Sequence, residues 1–155
     1  MPSVRRRHRA APPPRIVLLV SEFHAELAEA LIRGARGVLH RAGVPASHLS
    51  LLRVPGAFEL PVVAARVVRS RPRPDAVLAL GALIRGETPQ YDIIGHAVAD
   101  GLAHVSVTSG IPVAFGVIVA TTLAQAKARA GGSMGNRGAD AARAALAVLR
   151  LLETI

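Results

Sequence analysis

The chain has 155 residues, 51% of them hydrophobic, a length that fits one domain with a core needing neither disulfide nor metal. It holds no cysteine, which excludes disulfides and Cys-based zinc or iron–sulfur sites, and no apolar run reaches the roughly 18–20 residues of a membrane helix. Of the formal net charge of +9, five units come from Arg5, Arg6, Arg7, Arg9 and Arg15, and no zinc-finger, stacking-aromatic or helix-turn-helix pattern joins them to suggest a nucleic-acid partner.

Residues 1–14 read as a disordered, basic and proline-rich arm, and residues 15–155 as one folded domain. The arm lacks the layout of a signal peptide, and the absence of cysteine suits the cytoplasm, where the protein is expected. Arg15 to Val20 is a β-branched, apolar run of the kind covered on both faces of a sheet. A loop, Ser21-Glu22-Phe23-His24, leads into a helix over Ala25–Ala42, where Leu27, Leu31, Ala35, Val38 and Leu39 recur at helical spacing. Gly43 stops that helix. Leu49–Val54 reads as a second strand, Pro55–Pro61 as a loop, and the helix that follows as reaching about Ser70.

After the linker Arg71-Pro72-Arg73-Pro74, the spacing predicts a third strand over Ala76–Leu80 and a loop from Gly81 to Gln90. A third helix is expected over about Tyr91–Thr108 and a fourth strand over Val113–Val119. Thr121 or Thr122 caps a short helix, Leu123–Ala130. Gly131–Gly138 reads as a flexible loop and Ala139–Glu153 as a last amphipathic helix.

Strands alternating with helices imply an α/β protein with a parallel sheet and helices on both faces. The loops after the four strands then share one edge, where open α/β sheets build ligand crevices. That edge would collect Phe23, His24, Phe58, Glu59, Arg85, Glu87, Thr88 and Gln90. A helix starting just after Thr88 would offer free amides and a positive dipole end to an anion. No Walker or dinucleotide fingerprint is present. High hydropathy (mean +0.39) with few large side chains points to further burial against copies of the same chain.

Three motifs occur in order: Val54-Pro55-Gly56-Ala57-Phe58-Glu59-Leu60-Pro61, then Ala79-Leu80-Gly81-Ala82-Leu83-Ile84-Arg85-Gly86-Glu87-Thr88, then Gly135-Asn136-Arg137-Gly138-Ala139. Together they make the chain resemble the 6,7-dimethyl-8-ribityllumazine synthase family of riboflavin biosynthesis, from about Arg15 to Leu152. The resemblance implies a three-layer sandwich around a four-stranded parallel sheet in flavodoxin-like order. It implies condensation of 5-amino-6-ribitylamino-uracil with 3,4-dihydroxy-2-butanone 4-phosphate, releasing phosphate and water, without metal or redox cofactor.

By position, the resemblance gives Phe23 the pyrimidine to stack on, and Ala57, Phe58 and Glu59 the ribityl chain. Leu83 and Ile84 would hold the uracil edge, and Glu87 and Thr88 the phosphate. Phe115 and Arg129 would come from a neighbouring subunit, Arg129 as the phosphate's counter-charge. The implied partners are copies of the chain, in a pentamer or a sixty-subunit shell, and an associated riboflavin synthase.

Three places depart from the family pattern, one of them Gly132-Ser133-Met134, which replaces a usual Thr-Lys pair and removes one positive charge while Arg137 keeps a cation just beyond. Gln90 stands where the family places its proton-transferring histidine, two residues after Thr88. Ser21-Glu22-Phe23-His24 stands where the family usually has S-[RK]-[FW]-N. Glutamine does not exchange a proton near neutral pH, which imidazole does readily. His24 and His96 are the candidate substitute bases. Two functions follow: a lumazine-forming enzyme slowed by Gln90, or a non-catalytic lumazine- or flavin-binding or shell-forming paralogue.

Overall fold

Four apolar segments form the central sheet: β1 (Ile16–Ser21), β2 (Leu49–Val54), β3 (Ala76–Ile84) and β4 (Val113–Ala120). In the computed structural model, which describes residues 11–155, all three pairings are parallel and the order is β2-β1-β3-β4. This is the expected flavodoxin-like order, with β1 and β3 central. Of the expected arm, residues 1–10 lie outside the described residues. Its last part is tied to the domain where His48 Nδ1 donates to the Pro13 carbonyl at 2.8 Å.

Successive strand residues point to opposite faces, and each face has its own core. Leu18, Val20, Leu78 and Leu80 pack under α1 (Ala25–Arg41), α4 (Leu123–Arg129) and α5 (Arg137–Leu152). Leu19, Val77, Ala79 and Val117 pack under α2 (Leu60–Val67) and α3 (Gln90–Ser109). The result is a three-layer sandwich. Leu18, Leu19, Leu78 and Leu80 are at most 1% exposed, and burying each contributes about 1.5–3 kcal/mol.

Two boundaries differ from the sequence expectation by three residues or more. The third strand runs four residues past Leu80, because β4 stays paired with it up to Ile84 opposite Ala120. Gly81 is therefore a strand residue and not the start of a loop. A Cβ there would sit 2.9 Å from the Ser21 Cβ, so glycine is what lets β1 and β3 approach. The second helix ends at Val67, short of Ser70.

The segment read as a flexible loop folds as an antiparallel hairpin, β5 (Ala130–Gly132) with β6 (Gly135–Asn136). The last helix then starts at Arg137, capped by Asn136, whose Oδ1 accepts from the amides of Gly138 (2.9 Å) and Ala139 (3.1 Å). Asn136 Nδ2 donates to the Ala30 carbonyl at 2.9 Å. Any Cβ on Gly138 would run into the Leu31 carbonyl of α1. Asn136 and Gly138 thus hold α5 against α1, and Arg137 pairs with Asp140 at 3.5 Å.

Candidate active site at the carboxyl edge of the sheet

The loops after β1, β2 and β3 and the first turns of α3 enclose a cavity of about 450 Å³, within the size range of small-molecule sites. Phe23 and His24 close it from the loop after β1. Gly56, Ala57, Phe58 and Glu59 border it from the turn after β2, where Ala57–Glu59 form a short 3-10 segment running into α2. Ala82, Leu83 and Ile84 form its floor from the end of β3, and Gly86, Thr88, Gln90, Tyr91 and Ile94 its far wall.

Of the residues singled out in the sequence, the structure brings Phe23, Ala57, Phe58, Glu59, Leu83, Ile84, Thr88 and Gln90 together on this cavity. It does not bring Glu87, Phe115 or Arg129 of the same chain there. Phe115 pairs with Ala79, and Ala120 with Ile84, so Phe115 lies five residues short of the end of β4. At about 3.3 Å per residue that is some 16 Å from the carboxyl edge. Arg129, the last residue of α4, is half-buried with no carboxylate partner among the described residues.

The rim is aromatic and open. Phe23 is 77% exposed and Phe58 62%, although both are large apolar rings. Phe23 meets the edge of the His24 ring, centroids 5.1 Å apart at 77°. His24 occupies the N-cap position of α1, yet its side chain makes no cap bond; its carbonyl accepts from the Ala28 amide at 2.9 Å. Burial of the ring pushes the His24 pKa below the usual 6.5. Glu22, the other unusual residue of that loop, lies 3.7 Å from Arg53, which also pairs with Glu29 at 2.7 Å.

The loop from Gly86 into α3 presents unused donors. The amide of Arg85 still belongs to the sheet, donating to Ala120 O at 2.9 Å. Those of Asp92 and Ile93 donate to Pro89 O. Between them, the amides of Gly86, Glu87, Thr88, Gln90 and Tyr91 donate to nothing among the described residues. Free amides at the start of a 20-residue helix, with its positive dipole end, suit an anion.

Tyr91, Ile94, Gly56 and Ala82 border the cavity without having been expected there. Gln90 and Ile94 stand four apart in α3, so helical spacing could have placed Ile94 on the Gln90 face. Nothing local in the sequence marks Ala82, which reaches the cavity only because β3 is longer than its apolar run suggests. His96, the other candidate base, stands apart from the cavity: its side chain is 81% exposed and 3.7 Å from Asp92.

Among the described residues no group of three or more His, Cys, Asp or Glu could hold a metal ion, and no helix is long and apolar enough to cross a membrane. Compared with known protein families, residues 13–153 match the family model described as 6,7-dimethyl-8-ribityllumazine synthase.

Proposed function

The chain belongs to the 6,7-dimethyl-8-ribityllumazine synthase family, a family of riboflavin biosynthesis, and on that premise we propose that it condenses 5-amino-6-ribitylamino-uracil with 3,4-dihydroxy-2-butanone 4-phosphate. The observation that carries the reading is one cavity holding both an aromatic rim and a row of free amides. Phe23 and Phe58 supply flat apolar surface for a pyrimidine. The amides from Gly86 to Tyr91 supply donors for a phosphate.

In this reading the pyrimidine lies against Phe23, with Leu83 and Ile84 along its edge through their backbone. Ala57, Phe58 and Glu59 line the ribityl chain, and the phosphate sits at Glu87 and Thr88. The amine of the uracil attacks the ketone and water leaves to give an imine. Phosphate is then eliminated, and the ring closes. Holding both reactants in one cavity supplies much of the acceleration, since fixed geometry replaces a bimolecular encounter.

The site is completed by a second copy of the chain. β4 is an edge strand, and Phe115 (44%) and Val119 (43%) leave it as exposed apolar side chains, with Ile93 (62%) and Val107 (83%) exposed on α3. Such a surface is suited to burial against a neighbour. A neighbour whose cavity seats against that face takes this chain's Phe115 at its pyrimidine and this chain's Arg129 at its phosphate, and round a closed ring of the pentameric kind found in the family each cavity is completed by the next copy in the same way.

The test is direct: incubate the native protein with both substrates and follow the absorbance of the lumazine. Product formation at a rate well above the uncatalysed condensation supports the reading. Tight binding of a product analogue with no turnover would instead make this chain a binding or shell-forming paralogue.

A further inference from the structure

We propose that His24 is the group that moves protons in this cavity, an assignment that rests on the condensation proposed above. Imine formation and elimination each break a bond to hydrogen, and neither proceeds efficiently without a group that takes and returns that proton. Gln90 lines the cavity but an amide side chain cannot do so. Among the described residues His24 is the one imidazole on the cavity wall. His40 lies on the last turn of α1, His48 is bonded to Pro13, and His104 is on α3 away from the cavity.

The local geometry leaves His24 free for this work. At the N-cap position a polar side chain ordinarily folds back onto the helix amides, but His24 makes no such bond and turns its ring against Phe23. A ring held edge-on to the aromatic surface on which the pyrimidine lies is beside the reacting amine. Burial keeps the imidazole neutral near pH 7, the form that accepts a proton. Glu59 and Tyr91 are the other titratable groups on the cavity, and Glu22 and Glu26 flank His24 on its own segment.

In the elimination, the C–H bond on the carbon next to the imine breaks and its proton goes to the neutral imidazole. The electron pair forms the carbon–carbon double bond as the C–O bond to phosphate breaks. The imidazolium returns the proton to the departing phosphate, which leaves as hydrogen phosphate, and His24 is neutral again.

The experiment compares kcat, KM and the pH dependence of kcat for the native assembly, His24→Asn, His24→Ala and His96→Ala, with and without added imidazole. His24→Asn is expected to lower kcat about 10²–10⁴-fold, with KM within about threefold of native. It should also lack the fall in kcat that the native protein shows as pH drops through the His24 pKa. Free imidazole should restore turnover to His24→Ala, and His96→Ala should behave as native. Two variants at position 24, each checked for native assembly by mass, guard against a folding defect.

Native kcat and pH dependence in His24→Asn, with the native protein turning over, overturns the assignment of His24 alone. Loss of activity in well-assembled His24→Ala that imidazole does not recover also overturns it, because a merely structural role predicts that result. No lumazine from the native protein itself removes the proposed reaction, and the role of His24 with it.

Discussion

The side chain of Asn136 joins the two ends of the domain: its Nδ2 donates to the carbonyl of Ala30, 106 residues earlier, while its Oδ1 caps α5. One amide thus settles both where the last helix begins and which neighbour it lies against. Replacing Asn136 by Ala removes the cap and leaves the Ala30 carbonyl short of a donor, for a loss of about 1–3 kcal/mol. Asp at the same position keeps the cap but has no N–H for Ala30, so it should fall between Asn and Ala in thermal unfolding. An Asp variant as unstable as Ala would mean that the bond to Ala30 outweighs the cap.

A second prediction concerns position 90. If His24 carries the protons, Gln90→His adds a second base where one already works, and kcat should rise by less than about tenfold. In the His24→Asn background the same change should restore a large part of what was lost. Equal gains in both backgrounds would show that the two positions act independently, a result that a kcat double-mutant cycle reads directly.

Arg129 offers a test of the shared site. Arg129→Ala should raise the KM for the butanone phosphate by about 10–100-fold, the loss expected for a hydrogen bond between charged groups. Mixing Arg129→Ala chains with Phe23→Ala chains, both weakened alone, should regenerate intact sites wherever the two types adjoin. At equal mixing roughly a quarter of the sites recover in a closed ring of heterologous contacts. No recovery on co-assembly places both residues in the same protomer's site.

The depressed pKa of His24 has a consequence for stability whose sign is definite. The unfolded chain takes up a proton at the usual 6.5, whereas the folded chain resists it because burial disfavours the charged ring. The neutral ring's contribution is therefore full above pH 6.5 and declines as pH falls below it, levelling off under the folded-state value. The native protein should lose more thermal stability than His24→Asn between about pH 7 and pH 5. Parallel losses in the two proteins would show that His24 is as well solvated folded as unfolded.

The layered fold was legible in the sequence because strands buried on both faces are written as runs such as Ile16-Val17-Leu18-Leu19-Val20, and helices as Leu27-Leu31-Ala35-Leu39. What misled was glycine. Gly81 looks like a turn residue, yet it continues β3 because its missing Cβ makes room for Ser21. Gly132 and Gly135 look like flexible loop, yet they pair across the β5–β6 hairpin. Glycine records a lack of side chain, and only the partner strand or helix says whether that space is used for bending or for packing.

The site shows the same limit. The rim residues Phe23, Phe58 and Gln90 follow from strand order, since each stands just beyond a strand end. The Asn136-Arg137-Gly138 motif follows less readily: it has a packing duty, the docking of α5 on α1, and no atom of it borders the cavity. His24 and His96 are indistinguishable by residue type, and the turn of α3 that carries His96 away from the cavity is what separates them.

The division of the sheet into two cores also sets an order in time. The face under α2 and α3 draws on residues up to Val117, whereas the opposite face, although α1 already lies on it, stays incomplete until Ala139, Ala142 and Ala145 of α5 arrive. During synthesis at about 5–20 residues per second, Asn136 leaves the ribosome roughly 5–20 seconds after Ala30, its partner. For that interval α1 carries an apolar stripe with no α5 to cover it. The nascent protein is one-sided before it is whole, and its exposed side is the one that the far end of the chain must come back to close.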